Sequence, residues 1–396
     1  MIKISFAHNE DFLNRYKKHV ITDRLLISFR GMISRVPEVD KVKILAIFTD
    51  DFIIDLILCN ADKLNEKISI IYDNLPILSE RYCLEYYLKD IPFDPDIASR
   101  PIRKKSDKDQ IKIIHEQIIN RLQSLPNLHQ SIYIPLIIRK MQSTTLASKI
   151  KEQLISLNSM KLGNHILDEN IKSLYPNWVT EFANLFDYNA MSQVFGREIT
   201  NNMDLDVCLY CNNEDIETIN IEGAETRPDL DHFFPKSKFP FLALTLSNLI
   251  PAGNRCNQKY KKATSMLGYT HPFIDGINEN KLFNINYIFD EGRTIDAIKI
   301  TIDNQNNDLD KNLSLFRVEA THNKNDVKNW FLKFEERFQL LKSSAPHNLD
   351  EILSNPNSVR IILDVDTQSS PKKEQYLKLK IDALNLLSKK NFKMIN

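Results

Sequence analysis

The sequence predicts a predominantly helical α+β protein, and three features of the chain support this prediction. In the first half, apolar residues occur in dense runs and at helical spacing rather than in strict alternation. Glycine is scarce, with 8 residues in a chain of 396, which favours helices over a fold built from tight turns. Strand-like alternation of apolar and polar residues begins near residue 280. We therefore expect an N-terminal helical domain, a central region of short elements and a C-terminal α/β extension.

A chain of this length is expected to form two or three domains. We place the boundaries where the pattern of apolar residues changes. The expected units are a helical domain over residues 1–198, a core over residues 199–275 and a strand-plus-helix extension over residues 276–396.

The apolar pattern of residues 1–198 predicts helices that are separated by prolines. The densest apolar run, residues 52–58, is expected to be a buried helix. Further helices are expected over residues 111–122, 146–157 and 178–195. The basic segment over residues 99–108 is expected to be an exposed loop, either as a solvated linker or as a contact to phosphates.

The extension after residue 276 combines two patterns. Alternating apolar residues predict strands over residues 282–289 and 297–302, with a third over residues 315–320. Helices are expected over residues 326–341 and 376–390.

Cysteine usage and hydropathy argue against a secreted or membrane protein. Five cysteines are an odd number and too few for a disulfide scaffold in so long a chain. Cys59 and Cys83 stand among apolar residues and are expected to be buried thiols. The first residues do not read as a signal peptide, and no apolar run approaches the ~18 residues of a membrane span. We expect a cytoplasmic protein with reduced cysteines and no membrane contact.

Charge is balanced overall but unevenly distributed. Lysine plus arginine and aspartate plus glutamate each number 52. Residues 212–231 contain seven acids, whereas residues 232–262 contain none. Such a basic stretch is the footprint expected of phosphate binding, the alternative being a chance fluctuation on a solvated face. Its six cations are Lys236, Lys238, Arg255, Lys259, Lys261 and Lys262.

Four short motifs follow one another in the central region. They are Cys208-Leu209-Tyr210-Cys211, then Asp231-His232, then Asn248, and finally Cys256-Asn257 followed by Lys259. In this order the set resembles the HNH, or ββα-metal, nuclease family, in a variant that begins with Cys-x-x-Cys. The resemblance covers about residues 206–272, and the motifs are specific as a set although each is weak alone.

The resemblance implies a metal-dependent endonuclease that hydrolyses phosphodiester bonds in DNA, or alternatively in RNA. His232 is then the general base, since a neutral imidazole is available at cellular pH. Asp231 and Asn257 would hold Mg²⁺ or Mn²⁺, with Zn²⁺ as a third choice, and Asn248 would brace the loop and orient the histidine. A helix from about residue 254 would carry Asn257. The expected phosphate contacts are Arg255, Lys259 and Lys262.

The sequence departs from the family pattern at one cysteine. Relatives with a leading Cys-x-x-Cys often carry a second such pair, which would fall at positions 253 and 256, but position 253 is Gly253. Cys208, Cys211 and Cys256 either hold a structural Zn²⁺ with a histidine or water as fourth ligand, or pack as small apolar groups.

His271 and the aromatic residues near the motifs have two interpretations each. His271 either assists the metal or a phosphate, or is a partly buried turn residue, and His322 is expected to be structural. The aromatic residues Phe233, Phe234, Phe239 and Phe241 either stack on bases or form a core that supports the loop.

Two other functions stay open at this point. One is a non-catalytic module that binds nucleic acid through a zinc knuckle, and the other is a helical interaction protein in which the motif is scaffolding. For a nuclease, the flanking regions are expected to serve substrate selection, homo-oligomerisation or contact with a regulatory protein. By family analogy, such an enzyme acts in antiviral or other defence against foreign nucleic acid.

Overall fold

The computed structural model describes residues 1–277, 281–288, 293–303 and 309–394. In these ranges the protein is mostly helical, with two small antiparallel sheets of two strands each. The predicted fold class, a predominantly helical α+β protein, is therefore confirmed. The division into domains stays a prediction, and the first predicted boundary, at residue 198, falls inside a helix.

Helices form almost all of the regular structure before the motif region. A π-helical segment, Lys17–Leu25, joins the first two of them into one continuous rod. In chain order they are α1 (Glu10–Tyr16), α2 (Leu26–Ile33), α3 (Glu38–Leu45), α4 (Asp50–Leu58), α5 (Leu64–Asn74), α6 (Pro76–Tyr82), α7 (Leu84–Tyr87), α8 (Lys105–Gln123), α9 (Tyr133–Gln142), α10 (Ala147–Lys161), α11 (Glu169–Lys172), α12 (Asn177–Glu181) and α13 (Tyr188–Met203).

Helix α4 confirms the predicted buried helix. The Thr49 hydroxyl accepts a hydrogen bond from the backbone N–H of Phe52 at 3.1 Å and so caps the first turn. Ile53, Leu56 and Ile57 are buried on one side of the helix. The helices predicted around residues 111–122 and 146–157 are confirmed as α8 and α10.

A buried carboxylate anchors helix α9. Glu80 on α6 accepts hydrogen bonds at 2.8–2.9 Å from the backbone N–H groups of Ile132, Tyr133 and Ile134. The Tyr175 hydroxyl donates to the same carboxylate at 3.0 Å. Glu80 therefore satisfies N–H groups that a helix start otherwise leaves without partners.

Three predicted elements differ from the structure. The segment over residues 99–108 is not a loop throughout, because α8 begins at Lys105, where the Asp107 carboxylate accepts from the backbone N–H of Lys104. The helix predicted over residues 178–195 is split into α12, a 3₁₀ turn and α13, and Asp187 caps the new start. The third predicted strand is wrong: residues 315–320 span the end of one helix, a turn at Phe316 and Arg317, and the start of the next helix, and the φ of Arg317 is 50°.

The central sheet carries the motif residues. Strand β1 (Asp229–His232) pairs antiparallel with β2 (Leu249–Ala252), so that Asp231 lies opposite Ile250 and His232 opposite Leu249. The predicted helix after β2 is present as a short π-helix, Arg255–Lys261. The loop between the strands contains the four phenylalanines, which are all buried, so they form a supporting core rather than a surface for stacking bases.

The C-terminal region forms a second sheet backed by helices. Strand β3 (Phe283–Tyr287) pairs antiparallel with β4 (Ile298–Ile302), which confirms both predicted strands, although Phe289 lies outside the described residues. The helices of this region are α14 (Asp310–Leu315), α15 (Val318–His322), α16 (Asn325–Ser344), α17 (Leu349–Ser354), α18 (Pro356–Leu363) and α19 (Leu377–Ser388).

Candidate active site and metal centre

A cleft of about 490 Å³ lies between strand β1, the π-helix and helix α13. Asp231, His232 and Asn257 all line it, although Asn257 follows His232 by 25 residues. Helix α13 contributes Tyr188 and Ser192, which the motif pattern had not indicated. The charged side chains on the lining are Arg227, Asp229, Asp231, Lys236, Lys261 and Lys262.

His232 is held in the neutral form at the end of β1. The pKa of His232 is lowered to about 3, mainly by burial and in smaller part by the nearby charges of Lys236 and Lys261, while a hydrogen bond to the Ala243 carbonyl acts in the opposite direction. Nε2 lies 3.0 Å from that carbonyl oxygen. Because a carbonyl oxygen only accepts, Nε2 carries the proton and Nδ1 has the lone pair. The Tyr188 and His232 rings pack in a T-shaped arrangement, with 4.5 Å between ring centroids.

Asp231 is buried, and both of its carboxylate oxygens have partners in the protein. The Tyr210 hydroxyl donates to Oδ2 at 2.6 Å, and the Lys261 ammonium donates to Oδ1 at 2.9 Å. Burial and the Asp231 charge raise the pKa of Tyr210 well above its usual value, so the phenol keeps its proton. Asp231 therefore belongs to a buried cluster as well as to the cleft lining.

Asn257 contacts a different carboxylate. Its amide nitrogen lies 3.3 Å from Asp229 Oδ2, and Gln258 donates to the same oxygen at 2.8 Å. Asp229 and Asp231 are two residues apart on β1, which places them on the same face of the strand. Carboxylate and amide oxygens are donors that suit a hard divalent cation such as Mg²⁺ or Mn²⁺, so the donor chemistry of Asp231 and Asn257 fits such an ion.

Asn248 ties together the two ends of the loop between β1 and β2. It is fully buried; its side-chain oxygen accepts from the Phe234 N–H at 2.8 Å, and its amide donates to the carbonyls of Phe234 and Leu242 at 3.0 Å each. Ala243, whose carbonyl contacts His232, directly follows Leu242. Asn248 therefore fixes the loop segment that carries the Ala243 carbonyl.

The cations of residues 232–262 do not form one continuous surface. Lys261 is buried, Lys238 pairs with Glu85, and Arg255 pairs with Glu214, each of these two pairs at 3.3 Å. Of the three residues predicted to bind phosphate, Lys262 lines the cleft, whereas Arg255 and Lys259 do not. Two further cations on the lining, Arg227 and Lys236, come from positions outside the predicted phosphate set.

The three motif cysteines form a second site beside the cleft. Cys208, Cys211 and Cys256 are buried free thiols, and their sulfur atoms lie with a carboxylate oxygen of Glu214 within 4.8 Å of one another. Hydrogen bonds from Cys208 and Cys256 lower the pKa of Cys211 well below its usual value. This cluster could hold a metal ion. The fourth candidate ligand is thus a carboxylate, not the histidine or water expected from the sequence.

Gly253 explains how Glu214 reaches the cluster. A Cβ atom at position 253 would lie 2.5 Å from the Glu214 carboxyl carbon, closer than real Cβ contacts come. The carboxylate therefore occupies space that a cysteine at 253 would need. It also accepts from the backbone N–H groups of Arg255 and Cys256 at 3.0 and 3.1 Å. The sequence shows that Glu214 follows Cys211 by three residues, but it does not show that Gly253 leaves room for the carboxylate.

The remaining candidate histidines lie away from the cleft lining. His271 is buried against Phe233, and its Nδ1 accepts from the backbone N–H of Phe273 at 3.1 Å. His322 is buried with its Nδ1 at 2.8 Å from the Val318 carbonyl. The turn interpretation of His271 and the structural interpretation of His322 fit these contacts.

Comparisons with known proteins do not indicate a function for this chain. No protein-family model matches the chain, and comparisons with curated proteins and with solved structures found no match. Within the described ranges, no helix combines the length and apolarity needed to cross a bilayer.

Proposed function

We propose that the protein is a metal-dependent endonuclease of the HNH type that hydrolyses phosphodiester bonds in nucleic acid. The observation that carries the proposal is the shared cleft of Asp231, His232 and Asn257. A protein that only binds nucleic acid has no need of a neutral histidine beside hard oxygen donors. The convergence of these three side chains therefore favours chemistry over binding alone.

In this proposal His232 accepts the proton of the attacking water at Nδ1. The Ala243 carbonyl fixes the proton on Nε2, and Asn248 holds the loop that presents this carbonyl. Asp231 and Asn257 are the residues that would hold Mg²⁺ or Mn²⁺. When bound, such an ion supplies positive charge against the negative charge that develops on the phosphate.

The charged rim of the cleft supports a polyanionic substrate. Arg227, Lys236 and Lys262 line the cleft, and cations at such positions contact phosphates regardless of base sequence. The buried phenylalanines offer no stacking face, so contacts to the sugar–phosphate backbone are expected to dominate. Double-stranded DNA is the first substrate to test, followed by RNA.

The cysteine cluster is proposed to hold a structural Zn²⁺ with Glu214 as the fourth ligand. Three thiolates and one carboxylate are all ligands that zinc takes, and the site is closed because every donor comes from the chain. Such an ion would join the Cys208–Cys211 turn to the start of the π-helix that carries Asn257. Elemental analysis of the purified protein tests this assignment.

Plasmid cleavage tests the catalytic proposal. The full chain is expected to nick supercoiled plasmid with Mg²⁺ or Mn²⁺ and to stop when EDTA is added. His232→Ala is expected to abolish cleavage with the fold retained, whereas His271→Ala, a buried histidine off the cleft, is the matched control and should keep it. Wild-type activity in His232→Ala would remove this residue from the mechanism. A gel shift without any cleavage would support the binding module instead.

A further inference from the structure

Lys261 is an unusual residue for the interior of a protein. Its side chain is 1% exposed, and its ammonium donates to Asp231 Oδ1 at 2.9 Å and to the His232 carbonyl at 2.6 Å. Burying an ammonium is costly unless charged and polar partners compensate it. Both of its partners belong to the candidate active site.

The ion pair with Lys261 offsets the negative charge of Asp231 on the cleft lining. The carboxylate is 3% exposed and its other oxygen accepts from Tyr210, so the pair is close to neutral. A divalent cation on this carboxylate would meet the lysine charge at close range, and like charges at short distance repel strongly where water is scarce.

We propose that Lys261 is a positioning residue that acts as the resident cation of the site. It fixes Asp231 relative to the main chain of His232, and a divalent metal ion has to compete with its charge for Asp231. This inference rests on the proposed function, since it concerns the same carboxylate.

If Lys261 only stabilised the fold, replacing it would not change the affinity of the protein for a metal ion. Lys378 and Asp382 form a second buried pair at 2.8 Å, 3% and 2% exposed, in helix α19 outside the cleft lining. Neutralising Lys378 should destabilise the fold in the same way as neutralising Lys261. Only the change at Lys261 should alter the affinity of the protein for a metal ion.

The test is the affinity of the full chain for Mn²⁺, measured by titration calorimetry together with thermal unfolding. Mn²⁺ prefers oxygen donors over thiolates, which keeps the cysteine cluster out of the measurement. We expect Lys261→Met and Lys261→Gln to bind Mn²⁺ at least ~10-fold more tightly than the wild type, because one nearby positive charge is removed. Lys378→Met should bind as the wild type does, and Asp231→Asn should lose this binding.

Each outcome separates the two proposals. Unchanged or weaker Mn²⁺ binding in a folded Lys261 variant overturns the inference, and the nuclease proposal stands if the wild type still cuts. Tighter binding without wild-type cleavage supports the inference and removes the nuclease. Absence of both binding and cleavage removes both. Lys261→Gln keeps donors for both acceptors, so it decides the question where Lys261→Met does not fold.

Discussion

Removing the Glu214 carboxylate is expected to release zinc and to weaken the fold around the motif cysteines. Glu214→Ala deletes a candidate ligand and leaves the backbone N–H groups of Arg255 and Cys256 without their acceptor. At about 1.5 kcal/mol for each hydrogen bond to a charged group, the loss is about 3 kcal/mol before any effect of the metal. Zinc content by mass spectrometry and urea unfolding, with and without chelator, measure the two effects separately.

Glu214→Gln separates the ligand from the hydrogen-bond acceptor. The two N–H groups bond to different carboxylate oxygens, and glutamine keeps only one acceptor oxygen. In the presence of chelator, this variant should lose about half of the stability that Glu214→Ala loses, about 1.5 kcal/mol. Its zinc content should nevertheless fall, because a neutral amide is a poorer ligand than a carboxylate.

Glu80→Gln is the matched control. Glu80 is also a buried carboxylate that accepts from backbone N–H groups, but it serves helix α9 and not the cysteines. This variant should be destabilised with one zinc per chain retained. Equal zinc in the wild type, Glu214→Ala and Glu214→Gln would refute Glu214 as a ligand, and zinc-free wild-type protein would refute the metal centre itself.

Three further predictions concern pH, salt and the loop between β1 and β2. The pKa values of His232 and His271 are both about 3 in the folded protein against about 6.5 unfolded, so the stability they contribute is complete above pH 6.5 and is lost as the pH falls towards 3. Urea unfolding should show about 3 kcal/mol less stability at pH 5.5 than at pH 7.5 from these two groups, and a flat profile would contradict their burial. In a His232→Ala background, Arg227→Gln should reduce by ~0.9 the slope with which the logarithm of the duplex DNA binding constant falls against the logarithm of salt concentration. Lys259→Gln, whose lysine lies off the cleft lining, should leave this slope unchanged. Equal slopes in the two variants would contradict the assignment of Arg227 to the cleft rim. Asn248→Ala should lower stability by about 3 kcal/mol, since three buried hydrogen bonds are lost, and should lower plasmid cleavage with it; cleavage at the wild-type rate would show that the loop needs no brace.

The order of the motifs was enough to select residues that share a cleft. Asp231 and His232 end a strand, and Asn257 returns to them on the next helix, as the spacing and the proline-bounded loop suggested. The sequence indicates the three cysteines as candidate metal ligands, and they do lie together, but it does not indicate Glu214. Its role depends on Gly253 leaving space, which is a fact of three-dimensional packing rather than of residue type.

Other features could be identified only from the three-dimensional structure, because the sequence pattern does not show which side chains are buried. Lys261 reads as one of six cations in a basic stretch, yet it is the member that lies inside the protein. Tyr188 comes from a helix about forty residues before His232, so no local motif could place it on the cleft. The apolar alternation over residues 315–320 predicted a strand, but Arg317 adopts a left-handed conformation there and separates two helices.

Helix α13, which belongs to the N-terminal half of the chain, forms one side of the cleft that contains Asp231, His232 and Asn257. Tyr188 packs against the His232 ring, and Ser192 accepts a hydrogen bond from Arg227 at 2.8 Å. A fragment trimmed to residues 199–275 would open that side to water and return the imidazole to ordinary basicity. The environment of His232 therefore depends on a part of the chain that carries none of the motif residues.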